Sequence, residues 1–175
     1  VFEESFAAKG NSKEIAAKAQ EWVKKRFAGS NVIKHNIYEN EKPGTLTLKS
    51  EEYITFKKKT FVLDRTRITY FLDIEAKDNA CTMRMYRITY WYDDADERGG
   101  LRMIAEEWIT DEHALNKKGT KVLSGSGKFR RKTIDRVNEI FENAMDMFEE
   151  KVKEEMAKQK EAADKRLLTV EIVFG

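Results

Sequence analysis

Along residues 65–92 almost every second side chain is apolar. That is the alternation of strands, whose successive side chains point to opposite faces. Asp78-Asn79 divides the stretch, and both residue types tolerate left-handed backbone, so a tight turn there makes a hairpin. The register that follows sets Ile74 opposite Met83, Leu72 opposite Met85, Tyr70 opposite Arg87 and Ile68 opposite Thr89. One face then carries Ile68, Tyr70, Leu72, Ile74, Met83, Met85 and Trp91, the expected core. Asp73 falls across from Arg84, an opposite-charge pair that contributes about 0.2–1 kcal/mol in a sheet. The second face gathers Phe71, Tyr86, Ile88, Tyr90 and Tyr92 among Arg65, Arg67 and Arg84. A slip of one residue would exchange the two faces. A surface this aromatic is either covered, by the chain's own C-terminal region or a second copy, or it binds something. Those eight residues are the candidate partner-binding set.

The flanking patterns extend this hairpin into a meander. Residues 2–8 read as a short strand carrying Phe2 and Phe6, broken at Gly10. Asn11 with Glu14 three residues on has the spacing of a capping box and opens a helix. Ile15, Ala19, Trp22, Val23 and Phe27 follow at helical spacing, with Gly29 as the stop. Residues 32–39 and 45–50 are strands on either side of a Pro43-Gly44 turn. Residues 53–63 form a further extended stretch interrupted by Lys57-Lys58-Lys59. After an acidic, Gly-rich loop at 93–100, Leu101, Ile104, Ala105 and Trp108 share a helical face over 101–114. Residues 116–127, with three glycines and several lysines, read as a flexible loop. From Phe129 a long helix bears the stripe Ile134, Val137, Phe141, Ala144, Met145, Phe148 and Val152. Residues 158–166 are polar all round and project into solvent or meet a partner. Residues 167–174 return to β-favouring alternation, an edge that would pair with a sheet. The expected organisation is one α+β domain over 1–156, with a helical extension and β-like tail over 157–175.

Composition narrows the function classes. In 175 residues, 41% are hydrophobic and one is proline, which suits a real core without long disordered linkers. Charged residues make up 37% but nearly cancel, to a formal net charge of +2. A polyelectrolyte binder usually carries a larger basic excess. Cys81 stands alone, which excludes an internal disulfide and a cysteine-based zinc site. No apolar run approaches the roughly 18 residues of a membrane span. The chain begins at Val1 rather than Met and shows no signal peptide, which leaves a removed leader or a trimmed start open.

Motifs for chemistry fall short of their templates. Gly125-Ser126-Gly127-Lys128 is similar to a phosphate loop, but Val122 and Phe129 occupy the positions that need Gly and Ser or Thr. Asp111-Glu112-His113 are adjacent and cannot all face one ion from a helix, and His35 lies in a different strand. Glu106-Glu107 point to different faces and do not converge as an acid/base pair. Cys81 has no local cation to activate it, and no Gly-x-Ser-x-Gly elbow occurs. The reading therefore assigns no catalytic residue, cofactor or metal ligand.

With the order strand, helix, strand meander, long helix in hand, the chain resembles a bacterial family of unknown function with a TATA-binding-protein-like fold. The residues carrying the resemblance are Asn11-Ser12-Lys13-Glu14 with Trp22 and Phe27, and the strands 70–74 and 83–91. Ala105-Glu106-Glu107 and Arg130-Arg131-Lys132-Thr133-Ile134-Asp135 add to it. The resemblance covers about residues 2–152. It implies an antiparallel meander with helices on one face, a single such repeat, and a long C-terminal helix. It also implies secretion or lipid anchoring, by an upstream anchor, in the envelope of gut-dwelling Gram-negative bacteria, and it brings no activity or functional residue. A fold shared with a DNA-binding protein does not carry function across. The functional expectation is a non-enzymatic binding module for a protein or polymeric ligand, acting through the aromatic face. The alternatives are a single-stranded nucleic-acid binder, using the same face with Lys57–Lys59 and Arg130–Lys132, and a cryptic hydrolase. Homo-oligomer contact through the C-terminal helix and tail is part of the same expectation.

Overall fold

The computed structural model describes residues 1–29 and 32–174, without the side chains of residues 39, 150–152, 155 and 168–174. Strand β1 (Phe2–Ala7) and helix α1 (Ser12–Arg26) precede the meander β2 (Val32–Glu39), β3 (Thr45–Lys59), β4 (Val62–Lys77) and β5 (Ala80–Tyr92). A short strand β6 (Leu101–Ile104), two single-turn helices α2 (Ala105–Trp108) and α3 (Asp111–Ala114), and helix α4 (Ser124–Phe174) complete the order. Among the described residues the strands form one antiparallel sheet in the order β1-β5-β4-β3-β2, with β6 also paired to β5. Residues 80–85 of β5 take β1 and residues 89–92 take β6, end to end along the same edge.

Alternation decides which face is buried. Along β3 and β4 the even-numbered side chains Leu48, Ile54, Ile68, Tyr70, Leu72 and Ile74 are buried, and the odd-numbered ones are not. Helices α1 and α4 lie on that buried face. From α1 come Ile15, Ala19, Trp22, Val23 and Phe27, and from α4 Phe129, Val137, Ile140, Phe141, Ala144 and Phe148. The Asn11 side chain accepts from the Glu14 N–H at 2.9 Å and starts α1 as its spacing predicts. Trp22 joins the two helices, its indole N–H donating to Asn143 at 2.9 Å. The architecture is α+β: an antiparallel meander with helices on one face and a long C-terminal helix.

Among the described residues one charged side chain enters this core. Glu52 of β3 is 1% exposed, and Arg136 of α4 donates to it at 2.6 Å while the Tyr70 hydroxyl donates at 3.3 Å. Burial raises its carboxyl above the ordinary value, with Arg136 the leading opposing influence.

Several boundaries differ from the sequence reading. Residues 45–50 and 53–59 belong to one strand, β3, with an irregularity between Thr55 and Lys57, where Phe56 packs on the core. The expected helix over 101–114 divides, because Leu101–Ile104 pairs with Thr89–Tyr92 before any helix begins. Helix α4 starts at Ser124, not Phe129, leaving only 115–123 as loop. The expected β-like tail is helical backbone to Phe174. Its β-branched residues follow a run of strong helix formers, and propagating a helix is easier than nucleating a strand without a partner. Residues 156–167 are exposed, as the polar pattern of 158–166 implied.

Candidate binding surface

The face of the sheet opposite the helices is where the candidate residues were placed, and a single extra residue in β5 decides which of them reach it. From Lys77↔Ala80 to Phe71↔Tyr86 the β4–β5 register is the expected one, including Asp73↔Arg84. It then shifts by one, so that Ile68 faces Tyr90 and Arg67 faces Trp91. Arg87 is the inserted residue, with φ of 50°. A bulge of this kind bends the strand and reverses the phase of every side chain beyond it.

The consequence corrects three site assignments and one core assignment. Ile88 and Tyr90 are each 2% exposed, under the helices. The Tyr90 hydroxyl is satisfied there by Thr133 at 2.6 Å, which is how a tyrosine is accommodated in a core. Tyr92 also turns to the helix side, where its ring meets Phe129 and its hydroxyl donates to Asp64 at 2.6 Å. Trp91, assigned to the core, is carried to the open face. Arg65, Arg67, Phe71, Arg84 and Tyr86 lie on the open face as expected. The apolar phase change, from Met83 and Met85 at odd positions to Ile88, Tyr90 and Tyr92 at even ones, was the signal for the bulge.

The open face is a ladder of planar groups. Phe71 and Tyr86 stack with centroids 5.7 Å apart and planes at 26°. Around that pair Lys49 stands 5.6 Å from the Phe71 ring, Arg87 5.7 Å, and Arg84 5.2 Å from Tyr86. Toward the other end Arg102 lies 4.0 Å and Arg67 4.8 Å from the Trp91 ring, and Arg65 lies 3.7 Å from Tyr53. These distances are in the range of cation–π attraction. Tyr53, Arg87, Trp91, Arg102 and Lys49 were not among the predicted site residues. Between Lys34, Lys49 and Arg67 on one side and Trp91, Arg102 and Glu107 on the other, the sheet's curvature leaves a depression of about 560 Å³.

Acidic side chains hold three members of this array, Tyr53, Arg67 and Tyr86. Glu51 accepts from Arg67 Nη1 at 2.8 Å, and Asp94 accepts from Arg67 Nε at 2.8 Å and from the Tyr53 hydroxyl at 2.8 Å. Burial works against the Asp94 carboxylate, but the bonds from Tyr53 and Arg67 outweigh it and hold its pKa below the usual range. Asp73 accepts from Tyr86 at 3.0 Å and Thr47 at 2.7 Å. Burial, then Asp73, raise the Tyr86 hydroxyl, so it is a neutral donor at physiological pH. Tyr53, Arg67 and Tyr86 are therefore held in orientation before any ligand arrives, which lowers the ordering cost of binding.

The other candidate groups are spent on structure. Lys128 bonds Asp64 at 2.8 Å and the Tyr92 hydroxyl at 3.2 Å, and Ser126 donates to the His113 carbonyl at 3.1 Å. Cys81 is fully buried, and burial pushes its thiol up to about 12. Among the described residues no three His, Cys, Asp or Glu side chains gather as metal ligands.

Comparison with known proteins places this geometry among relatives. The model of a family described as a domain of unknown function with a TBP-like fold, DUF4468, matches residues 2–91. A crystal structure of a DUF4468 family protein from Bacteroides ovatus is similar with a TM-score of 0.75 and 32% identity, covering 84% of each chain. A TBP-like protein from Parabacteroides distasonis is similar with a TM-score of 0.68 over 85% of this chain and 91% of that one. At 21% identity the second likeness speaks to fold alone. Comparison with curated proteins returns no match.

Proposed function

Since the chain belongs to the DUF4468 family, whose fold is TBP-like, we propose a function from the surface itself: a non-enzymatic module that binds a protein or polymeric ligand across the open sheet face. One observation carries the reading. Phe71, Tyr86, Trp91 and Tyr53 are interleaved with Arg65, Arg67, Arg84, Arg87 and Arg102 on the face that α1 and α4 leave uncovered. Aromatic rings and arginines are the side chains that dominate binding energy at interfaces, because they offer large planar contact at low entropic cost. The secreted or envelope setting implied by the resemblance is part of the proposal. A single-stranded nucleic-acid ligand fits less well, since Arg130 is turned away to the Ile109 carbonyl at 3.0 Å and to Asp111 at 2.6 Å on the helix side.

The test is capture of envelope material by purified protein, with bound components identified and retested in isolation against wild type and Y86A/W91A. Both rings lie on the uncovered face, so the variant folds and loses at least tenfold in affinity. Undiminished binding by a folded Y86A/W91A protein would count against the proposal. Tyr90→Ala is no test of this surface, because it opens the core.

A further inference from the structure

The β3–β4 hairpin does not end where the sheet ends. Among the described residues strand β2 accompanies β3 only to Val32↔Glu52, and β5 accompanies β4 only to Thr66↔Tyr92. Beyond that rung β3 and β4 run on as a two-stranded ribbon to Lys59↔Val62, closed by Thr60-Phe61. At the usual strand rise the turn stands roughly 17 Å beyond the last rung. The ribbon's base is braced by Phe56 on Phe129, centroids 4.7 Å apart, and by Asp64 on Lys128.

Its tip has a composition that folding does not explain. Phe61 is 102% exposed, Val62 49% and Leu63 54%. Phe61 also adopts φ of 64°, a region that is costly for a bulky side chain and is normally given to Gly or Asn. The hairpin at the other end of β4 closes with the same number of residues, Asp78-Asn79, and has Asn79 at its positive φ of 58°. One turn thus carries the residue that suits it, and the other holds a phenyl ring wholly in water at a strained position. Strain and exposed apolar surface retained together point to a use. Lys57, Lys58 and Lys59 are exposed beside them, and no acidic residue occurs over 57–63. The acidic loop at 93–100 leaves the sheet at the last rung, about two Debye lengths behind Phe61 at physiological salt. Asp94 is turned back to Arg67.

We propose that this ribbon tip is a membrane-contact element, which inserts Phe61, Val62 and Leu63 among the acyl chains of an anionic phospholipid surface while Lys57–Lys59 lie at the headgroups. The charge complements an anionic leaflet, and three adjacent apolar side chains match shallow interfacial insertion. The contact is peripheral. Among the described residues no helix is long and apolar enough to span a bilayer.

Co-sedimentation with vesicles of phosphatidylcholine alone, and of phosphatidylcholine with 30% phosphatidylglycerol, tests it at low and high salt. The protein binds the anionic vesicles at low salt and leaves them at about 0.5 M salt. F61S/L63S and K57A/K58A/K59A each weaken binding at least tenfold. Circular dichroism and melting temperature confirm that the variants remain folded, which the exposure of these side chains leads one to expect. No binding to anionic vesicles at low salt overturns the proposal, as does binding that F61S/L63S leaves unchanged. Self-association without vesicle binding, abolished by F61S/L63S, would replace the lipid with a second copy of the chain.

Discussion

Replacing Arg136 with Met isolates the one charged side chain buried in the core among the described residues, and its cost follows from the chemistry of Glu52. Met keeps most of the stem volume and removes the guanidinium that donates to Glu52 at 2.6 Å. Glu52, 1% exposed, then has the choice of remaining ionised without its cation or taking up a proton. Protonation sets the ceiling. From the ordinary value of 4.5 it costs at pH 7 about 3.4 kcal/mol, and at pH 5 under about 1 kcal/mol. The sign is fixed by the direction of the shift. The folded pKa of Glu52 is raised, so its contribution to stability is complete below 4.5 and is lost as pH rises through the folded value. R136M raises that folded value further and extends the loss toward neutrality. Urea unfolding at both pH values should therefore show a deficit of up to about 3 kcal/mol at pH 7 that falls below about 1 kcal/mol at pH 5. Adding E52Q should recover most of it. Equal losses at the two pH values would refute the reasoning and assign the effect to packing.

Phe61→Asn relieves the strained turn and should stabilise by about 1 kcal/mol in chemical denaturation; an unchanged or lower midpoint contradicts the strain. Deleting Arg87 removes the bulge and makes the alternation continuous, with Ile88 opposite Tyr70 and the pairs Thr69↔Thr89 and Ile68↔Tyr90 kept. Ile88 and Tyr90 then stay turned to the core, so the variant should keep a cooperative melt in circular dichroism. Loss of the cooperative transition in the deletant would contradict the assignment of Arg87 as the inserted residue. Leu72→Ala, at a fully buried central position, should cost about 2–5 kcal/mol in the same assay. Truncation to residues 1–156 should leave the melting temperature unchanged, because residues 156–167 are exposed.

What the sequence made legible was periodic. The alternation of β4 identified its buried face, the Asn11–Glu14 spacing located the start of α1, and the turn at Asp78-Asn79 fixed the register as far as Phe71↔Tyr86. Beyond Tyr86 strict period two was the wrong rule, since one residue of left-handed backbone at Arg87 interrupts it, and the move of apolar residues from odd to even positions was its trace in the sequence. That one residue moved Ile88, Tyr90 and Tyr92 off the proposed site and brought Trp91 onto it. Tertiary pairing also outweighed local preference at Leu101–Ile104, whose helical spacing gave way to hydrogen bonding along the free edge of β5. The cation–π contacts of Arg102, Arg87 and Lys49 join residues distant in sequence and leave no local signature. Phe61 was read merely as part of an extended stretch, because nothing in composition separates a ring buried in a sheet from one held in water.

Binding across the sheet requires its uncovered face to be open in solution, with Tyr86 and Trp91 on one side of β5 and Ile88 and Tyr90 on the other. Hydroxyl-radical footprinting read by mass spectrometry measures this side chain by side chain. Oxidation should be rapid at Trp91, Tyr86 and Phe71 and strongly suppressed at Tyr90 and Ile88. Protection of Trp91 and Tyr86 to the level of Tyr90 would mean the face is covered, and the proposed binding surface would not exist.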